Sequence, residues 1–223
     1  MATRIRRAPP VRRAQRLEPR KQPLQQRSQT TVEYVLTAAA QVFEEHGYAA
    51  GTTNRIAERA GVSIGTLYQY FPNKEALAVA LLERHLAEGM RQLREWVGRA
   101  VAEPGGVHEA LRIFIEGMLD LHAERPRLQH ILLEETPLPP RLHDALLSAE
   151  AEAARTVAGL LRRYPEVRHT NLARAAYLMV QTVETLTHRF AAHPEHGLSR
   201  RAFATELVTM LGAYLTSAGS TAR

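Results

Sequence analysis

Cysteine is absent from all 223 residues, tryptophan occurs once, and aromatic residues together make up only 6% of the chain. The first absence excludes a disulfide framework and any thiolate metal centre, and it suits a reducing compartment. No apolar run approaches the ~18 residues at which a membrane-spanning helix would be read, so no membrane partner is expected. The charged N-terminus has no apolar stretch of the secretory-signal kind. No segment alternates apolar and polar residues long enough to read as a strand. The string Gly61-Val62-Ser63-Ile64-Gly65 has the G-x-S-x-G spacing but follows no strand candidate, so it is not a nucleophile elbow. A P-loop and a dinucleotide-binding G-x-G-x-x-G after a strand are missing, which removes the usual footholds for catalysis. The expectation is therefore a cytoplasmic, all-α protein that is not an enzyme and needs no cofactor.

Charge is present in quantity but unevenly placed. The chain carries +6 overall, yet residues 1–27 alone hold nine cations (Arg4, Arg6, Arg7, Arg12, Arg13, Arg16, Arg20, Lys21 and Arg27) against Glu18. That stretch is +8, so the other 196 residues sum to −2. Pro9, Pro10, Pro19 and Pro23 add to the case for a disordered basic arm over 1–26. Two readings of the arm stand at this point. One is a solvated extension; the other is an electrostatic arm that follows phosphates or enters a minor groove.

From residue 27 onward the 3.6-residue period dominates. Gln29–His46 places Val32, Leu36, Ala39 and Phe43 on one stripe before Gly47 stops it. Residues 52–71 read as two short helices joined by a tight turn. Thr53 is the candidate cap of the first, and Ile56, Ala57 and Ala60 form its inner stripe. Gly61 supplies a left-handed turn, Val62 fills the angle, and Ser63 caps the second helix, whose Leu67 and Phe71 face inward. Asn73 caps a long fourth helix, with Val79, Leu82, Leu86, Met90, Leu93 and Val97 in register. Further helices are expected over 108–124, from Pro126 to about Glu135, and over 141–163, 171–192 and 199–217. The sum is about nine helices: a helix-turn-helix domain over 27–73, then a helical domain over 74–223.

Two perpendicular helices of this kind form the helix-turn-helix that places its second helix in the major groove of DNA. The run Gly61-Val62-Ser63-x-Gly65-Thr66-Leu67-Tyr68-x-Tyr70-Phe71-x-Asn73-Lys74-Glu75-x-Leu77 goes well beyond a generic pattern. With Ala38–Phe43 and Gly47-Tyr48 before it, this chain resembles the TetR (tetracycline-repressor) family of bacterial transcription regulators over about Arg27–Leu82. Tyr70 stands where many members carry His, and either can donate to a phosphate. The resemblance implies phosphate contacts from Thr53, Tyr68, Tyr70 and Lys74, and groove-facing positions for Asn54, Arg55, Ile64, Thr66 and Gln69. Arg27, Ser63 and Gly65 complete the expected DNA-binding set, Gly65 by allowing close approach. Elementary chemistry agrees. Arg55 can fork onto guanine, Gln69 onto adenine, and Ile64 or the Thr66 methyl can touch thymine.

The resemblance further implies a homodimer on double-stranded operator DNA, released by a small, mainly apolar ligand. Helix phase suggests a cavity among the fourth to eighth helices bordered by Trp96, Phe114, Met118, His122, Tyr177 and Gln181. It also suggests a dimer seam on the ninth helix through Phe203, Leu207, Met210, Leu211 and Tyr214. Tyr177, Gln181, Glu184 and His188 make a polar stripe that fits a cavity wall, a dimer seam or a solvated face. His108, His122, His130 and His143, with Glu134 and Glu135, lack the spacing of a metal site, so no metal is expected. Rival readings are an activator, or a regulator with no small-molecule ligand, and more distantly a ligand-binding or enzymatic α-bundle that merely carries the motif.

Overall fold

The computed structural model describes residues 26–103, 105–137, 139–193 and 197–217, with side chains from Ser28. The basic arm, apart from the backbone of Gln26, and the Arg27 side chain fall outside the described residues. Among these residues there are nine α-helices and no strand. They are α1 (Gln26–Ala50), α2 (Thr53–Arg59), α3 (Ile64–Tyr70), α4 (Lys74–Ala102), α5 (Val107–Glu124), α6 (Pro126–His130), α7 (Pro140–Leu161), α8 (Leu172–Ala192) and α9 (Arg200–Thr216). A π-helical turn, Ile131–Glu135, extends α6.

Start and stop signals act as their chemistry requires. Asn73 accepts from Ala76 N–H at 2.8 Å to open α4, Asn171 from Arg174 N–H at 2.9 Å to open α8, and Ser199 from Ala202 N–H at 3.2 Å to open α9. Gly47, at φ 75°, bends α1 away from its axis. The freed Tyr48 N–H is taken by the Glu135 carboxylate at 3.0 Å. Gly106 offers no side chain to cap α5. Glu166 does so from the α7–α8 loop, accepting from Val107 N–H at 2.6 Å. That backbone bond holds its carboxyl below the usual range.

Two main cores result. The first is built on Val35, Ala39, Phe43, Ile56, Leu67, Phe71 and Leu77, and it also takes in Leu128, Ile131 and Leu132 from α6 and the π turn. The expected break at residue 73 is therefore not a break in packing. α4 is one unbroken rod, and α6 belongs to the core that holds α1, α2 and α3. The second core joins the far half of α4 (Leu93, Trp96, Ala100) to α5, α7, α8 and α9. Leu207 and Leu211, expected in a dimer seam, lie 4% and 5% exposed in this core. Phe203 packs on Phe190 at 4.3 Å between ring centres and Tyr214 on His169 at 4.8 Å. Of the five seam residues only Met210 stands clear of the fold, at 49% exposure. The reason is that α9 has apolar residues on more than one face, so its densest stripe marks the monomer core.

Candidate functional site

The helix-turn-helix is held by bonds internal to it, which leaves one face open. Thr52, not Thr53, caps α2, its hydroxyl accepting from Arg55 N–H at 3.4 Å. Thr53 is thereby moved into the first turn, where its hydroxyl meets Tyr68 Oη at 3.0 Å and ties α2 to α3. Gly61 takes φ 67°, and Val62 N–H donates back to Ala57 O at 3.0 Å, closing the turn. Ser63 caps α3 as expected, accepting from Thr66 N–H at 3.0 Å and pairing with its hydroxyl at 2.8 Å. The Arg59 guanidinium forks onto Glu45, with both bonds at 2.6 Å, fastening α2 to α1.

On the open face, Asn54, Arg55, Ser63, Ile64, Gly65, Tyr68 and Gln69 are exposed, and Thr53 and Thr66 are half-buried. Ile64 keeps 38% of its surface in water, an unfavourable place for a β-branched apolar side chain unless something apolar covers it. A Cβ added at Gly65 would meet only Ser63 Oγ, at an ordinary 3.7 Å. Nothing within the chain requires glycine there.

Two expected phosphate anchors are also engaged internally. Tyr70, half-buried, donates to Ser28 Oγ at 3.3 Å. Lys74 Nζ donates to Tyr48 O at 2.8 Å and Ala49 O at 3.2 Å, and sits 4.1 Å from the centre of the Tyr48 ring. It caps the carbonyl end of α1 and carries a cation–π contact, so its charge stands where α1 ends and α4 begins.

Between α4, α5, α7 and α8 lies a cavity of ≈ 120 Å³. Four of the six expected lining residues border it: Trp96, Phe114, Met118 and Gln181. Trp96 and Phe114 meet edge to face, with centres 5.9 Å apart, and also cover a smaller void of ≈ 20 Å³. The other two expectations need correction. Tyr177 is 49% exposed on the outer face of α8, because the 4, 3, 4 spacing runs off the cavity side within one turn. His122 is fully buried, but it stands behind the wall. The wall instead presents His85, Glu150 and Glu184. A signal for His85 did exist in the sequence, since it interrupts the apolar α4 stripe that contains Leu82, Leu93 and Trp96.

Behind Glu184 is a buried polar group. His122 Nδ1 lies 2.7 Å from Gln129 Oε1, and the Gln129 amide donates to Leu121 O at 3.0 Å. With its amide so committed, Gln129 offers only an acceptor, which fixes the proton on Nδ1. His122 Nε2, without a hydrogen-bond partner, faces Glu184 Oε1 at 3.5 Å. Only the imidazolium suits both neighbours. Burial alone would depress His122, but Glu184 and Gln129 outweigh it and hold the imidazole above its ordinary value. Burial likewise pushes Glu184 up, and His122, with His85 and His188, more than offsets this. His85 and His188 are held below the ordinary histidine value, chiefly by burial. Their ring centres stand 6.4 Å and 5.4 Å from that of His122.

Comparison with known proteins accounts for both halves. A family model described as bacterial regulatory proteins, tetR family, matches residues 35–81. A second, for the tetracyclin repressor-like C-terminal domain, matches residues 107–215. The chain belongs to the TetR family. One curated relative is the transcriptional activator FasR of Mycolicibacterium smegmatis, 48% identical over 61 residues, or 26% of this chain and 28% of FasR. The repressor NicS of Pseudomonas putida is 27% identical over 134 residues, 60% of this chain and 59% of NicS. This chain thus spans less than two thirds of the length of these curated relatives. Among solved structures, SmeT, the repressor of a Stenotrophomonas maltophilia multidrug efflux pump, aligns at 25% identity and TM-score 0.63, covering 86% of this chain and 93% of SmeT.

Proposed function

We propose that this TetR-family chain is a sequence-specific DNA-binding transcription regulator whose hold on its operator changes when a small molecule enters the cavity among α4, α5, α7 and α8. The observation that carries the first half is the open face of α2 and α3. Asn54 and Arg55 of α2 and Ile64, Gly65 and Gln69 of α3 are all exposed, with no clash to forbid a side chain at 65, while the hydroxyls of Thr53, Ser63, Thr66 and Tyr68 are spent on internal bonds. In this reading Arg55 and Gln69 read base edges, Tyr68 and Lys74 sit at phosphates, and the Thr53–Tyr68 pair presets the angle between the helices. The Arg27 side chain and the basic arm add non-specific affinity.

Two half-sites on a duplex need two copies of the motif related by a two-fold axis. The seam for the second copy is read on the outer faces of α8 and α9, where Tyr177, Leu178, Leu186 and Met210 expose apolar surface. The test has two arms. Sequencing of genomic fragments selected by the purified protein should return a palindromic site, and Gln69→Ala should relax one base pair of it by about 1–3 kcal/mol. Ligand affinity measured with and without saturating operator should differ by the same factor as the ligand's effect on operator affinity, because linkage is reciprocal. Binding to random DNA with equal affinity would refute the first arm, and equal ligand affinities the second.

A further inference from the structure

The cavity's charge names the class of molecule it takes, an inference that rests on the reading of this cavity as a ligand site. Among the described residues its lining holds two carboxylates, Glu150 and Glu184, and neither lysine nor arginine. Most of the remaining wall is hydrocarbon and aromatic ring: Leu93, Trp96, Phe114, Met118 and Val180 among others. The two carboxylates differ in their partners. Glu184 faces His122 across 3.5 Å, so its charge is largely answered from behind the wall. Glu150 is met by the neutral amide of Gln181, whose Nε2 donates at 2.7 Å. An amide satisfies one oxygen but cancels no charge. The wall is therefore net negative, with the uncompensated charge at the α7–α8 side.

We propose that the cavity binds a lipophilic amine in its protonated form, with the ammonium on Glu150 and the apolar body against Trp96, Phe114 and Met118. Electrostatics separates the candidates by head group. A cation entering this wall gains an ion pair in a partly desolvated site, while its apolar body is buried against the two aromatic rings. A carboxylate of the same size would be brought up to two like charges with no guanidinium or ammonium in the lining, and would have to bind a proton or stay out. A neutral alcohol would gain only burial.

The sole tryptophan, Trp96, lies in the wall and reports occupancy directly. The full chain is titrated at pH 7 with 4-phenylbutylamine, 4-phenylbutanol and 4-phenylbutyrate, which share one apolar body, and Trp96 emission is followed. The amine should bind more tightly than the acid by about tenfold or more, with the alcohol between them. Glu150→Gln should bring amine and acid close to parity, and Glu150→Lys should reverse their order. Circular dichroism and melting curves establish that each variant is folded. Glu150 is only half-buried, which makes both substitutions tolerable, and Glu184→Gln offers a second route with a smaller loss of preference. An acid that binds as well as the amine, or a preference unchanged by Glu150→Gln, overturns the head-group assignment while binding of the alcohol leaves the cavity reading in place. No response of Trp96 to any of the three overturns both.

Discussion

Gly117 on α5 lies directly under the indole of Trp96, and that contact makes a single methyl group a probe of the cavity. A Cβ built at Gly117 would stand 2.2 Å from Trp96 Cε2, 2.5 Å from Nε1 and 2.6 Å from Cζ2. To restore an ordinary contact of 3.4 Å the ring must withdraw by about 1.2 Å. Space beside it is the ≈ 120 Å³ cavity that the same indole borders. Overpacking of this kind costs about 1–3 kcal/mol, and exchanging glycine for alanine inside a helix returns about 1 kcal/mol. Gly117→Ala should therefore lower stability by about 0–2 kcal/mol, shift the emission of the only tryptophan, and weaken binding of any cavity ligand by about tenfold or more. Urea unfolding and Trp96 fluorescence measure all three. The control is Gly98→Ala on the exposed face of α4, where an added Cβ meets nothing within 4 Å. It should raise stability by up to about 1 kcal/mol and leave emission unchanged. If Gly117→Ala behaved like Gly98→Ala in emission and ligand affinity, the placement of Trp96 between α5 and the cavity would be wrong.

Gly65→Ala should leave the unfolding midpoint unchanged or slightly raised, because the chain offers no clash, while operator affinity measured by fluorescence anisotropy falls; equal affinity would remove the argument for close approach at this position. Glu184→Gln should cost more stability in acid than at pH 8. A histidine held above its ordinary value stabilises the fold fully below about pH 6.5, and that contribution is lost as pH rises through the folded-state value. His85 and His188 act in the same sense, since losing Glu184 depresses both further, and a wild-type-minus-variant gap in melting temperature that did not widen on acidification would contradict the pairing. Arg125 forks onto Glu44, with Nε donating to Oε1 at 2.9 Å and the second bond between Nη2 and Oε2, and joins the α5–α6 corner to α1. A double-mutant cycle with Arg125→Met and Glu44→Gln should show a coupling of about 1 kcal/mol in stability, and zero coupling would mark the pair as a solvated contact.

What the sequence disclosed depended on how local each signal was. The turn at Gly61, the caps at Ser63 and Asn73, and the helix spans are written in adjacent residues, and the structure reproduces them within a few positions. The cap of α2 fell one residue early, at Thr52, because Thr52 and Thr53 are chemically alike and only backbone geometry separates them. The cavity needed long-range information. Trp96, Phe114, Met118 and Gln181 were found from helix phase, but phase on α8 could not tell which side of the stripe faced α7, so Tyr177 was misplaced. Glu150 lay on a helix whose cavity face has no aromatic marker. Leu207 and Leu211 lie in the monomer core for the converse reason, since a strong apolar stripe records burial without saying by whom.

The long-range contacts also change how the two ends of the molecule are connected. One connection is α4 itself, a rod that runs from the first core to Trp96 in the second. A second route is shorter in bonds. Glu184 in the cavity wall faces His122, His122 is bonded to Gln129 of α6, and α6 with its π turn packs Leu128, Ile131 and Leu132 into the core of the DNA-binding end. From there the Glu135 carboxylate holds the Tyr48 N–H at the bend of α1, and Lys74 ties that bend to the first turn of α4. A cation seated on Glu150 stands in the same wall as Glu184, the one carboxylate that faces His122, and draws on its field. It would therefore compete with the imidazolium that satisfies Gln129, and loosen α6 from α5 at the point where α6 grips α1. Gln129→Leu keeps the apolar packing but cuts this chain of bonds, so it should preserve both operator and ligand affinity while shrinking the effect of one on the other. Coupling measured as the ratio of ligand affinities with and without operator reads that directly, and an unchanged ratio in Gln129→Leu would return the signal to α4 alone.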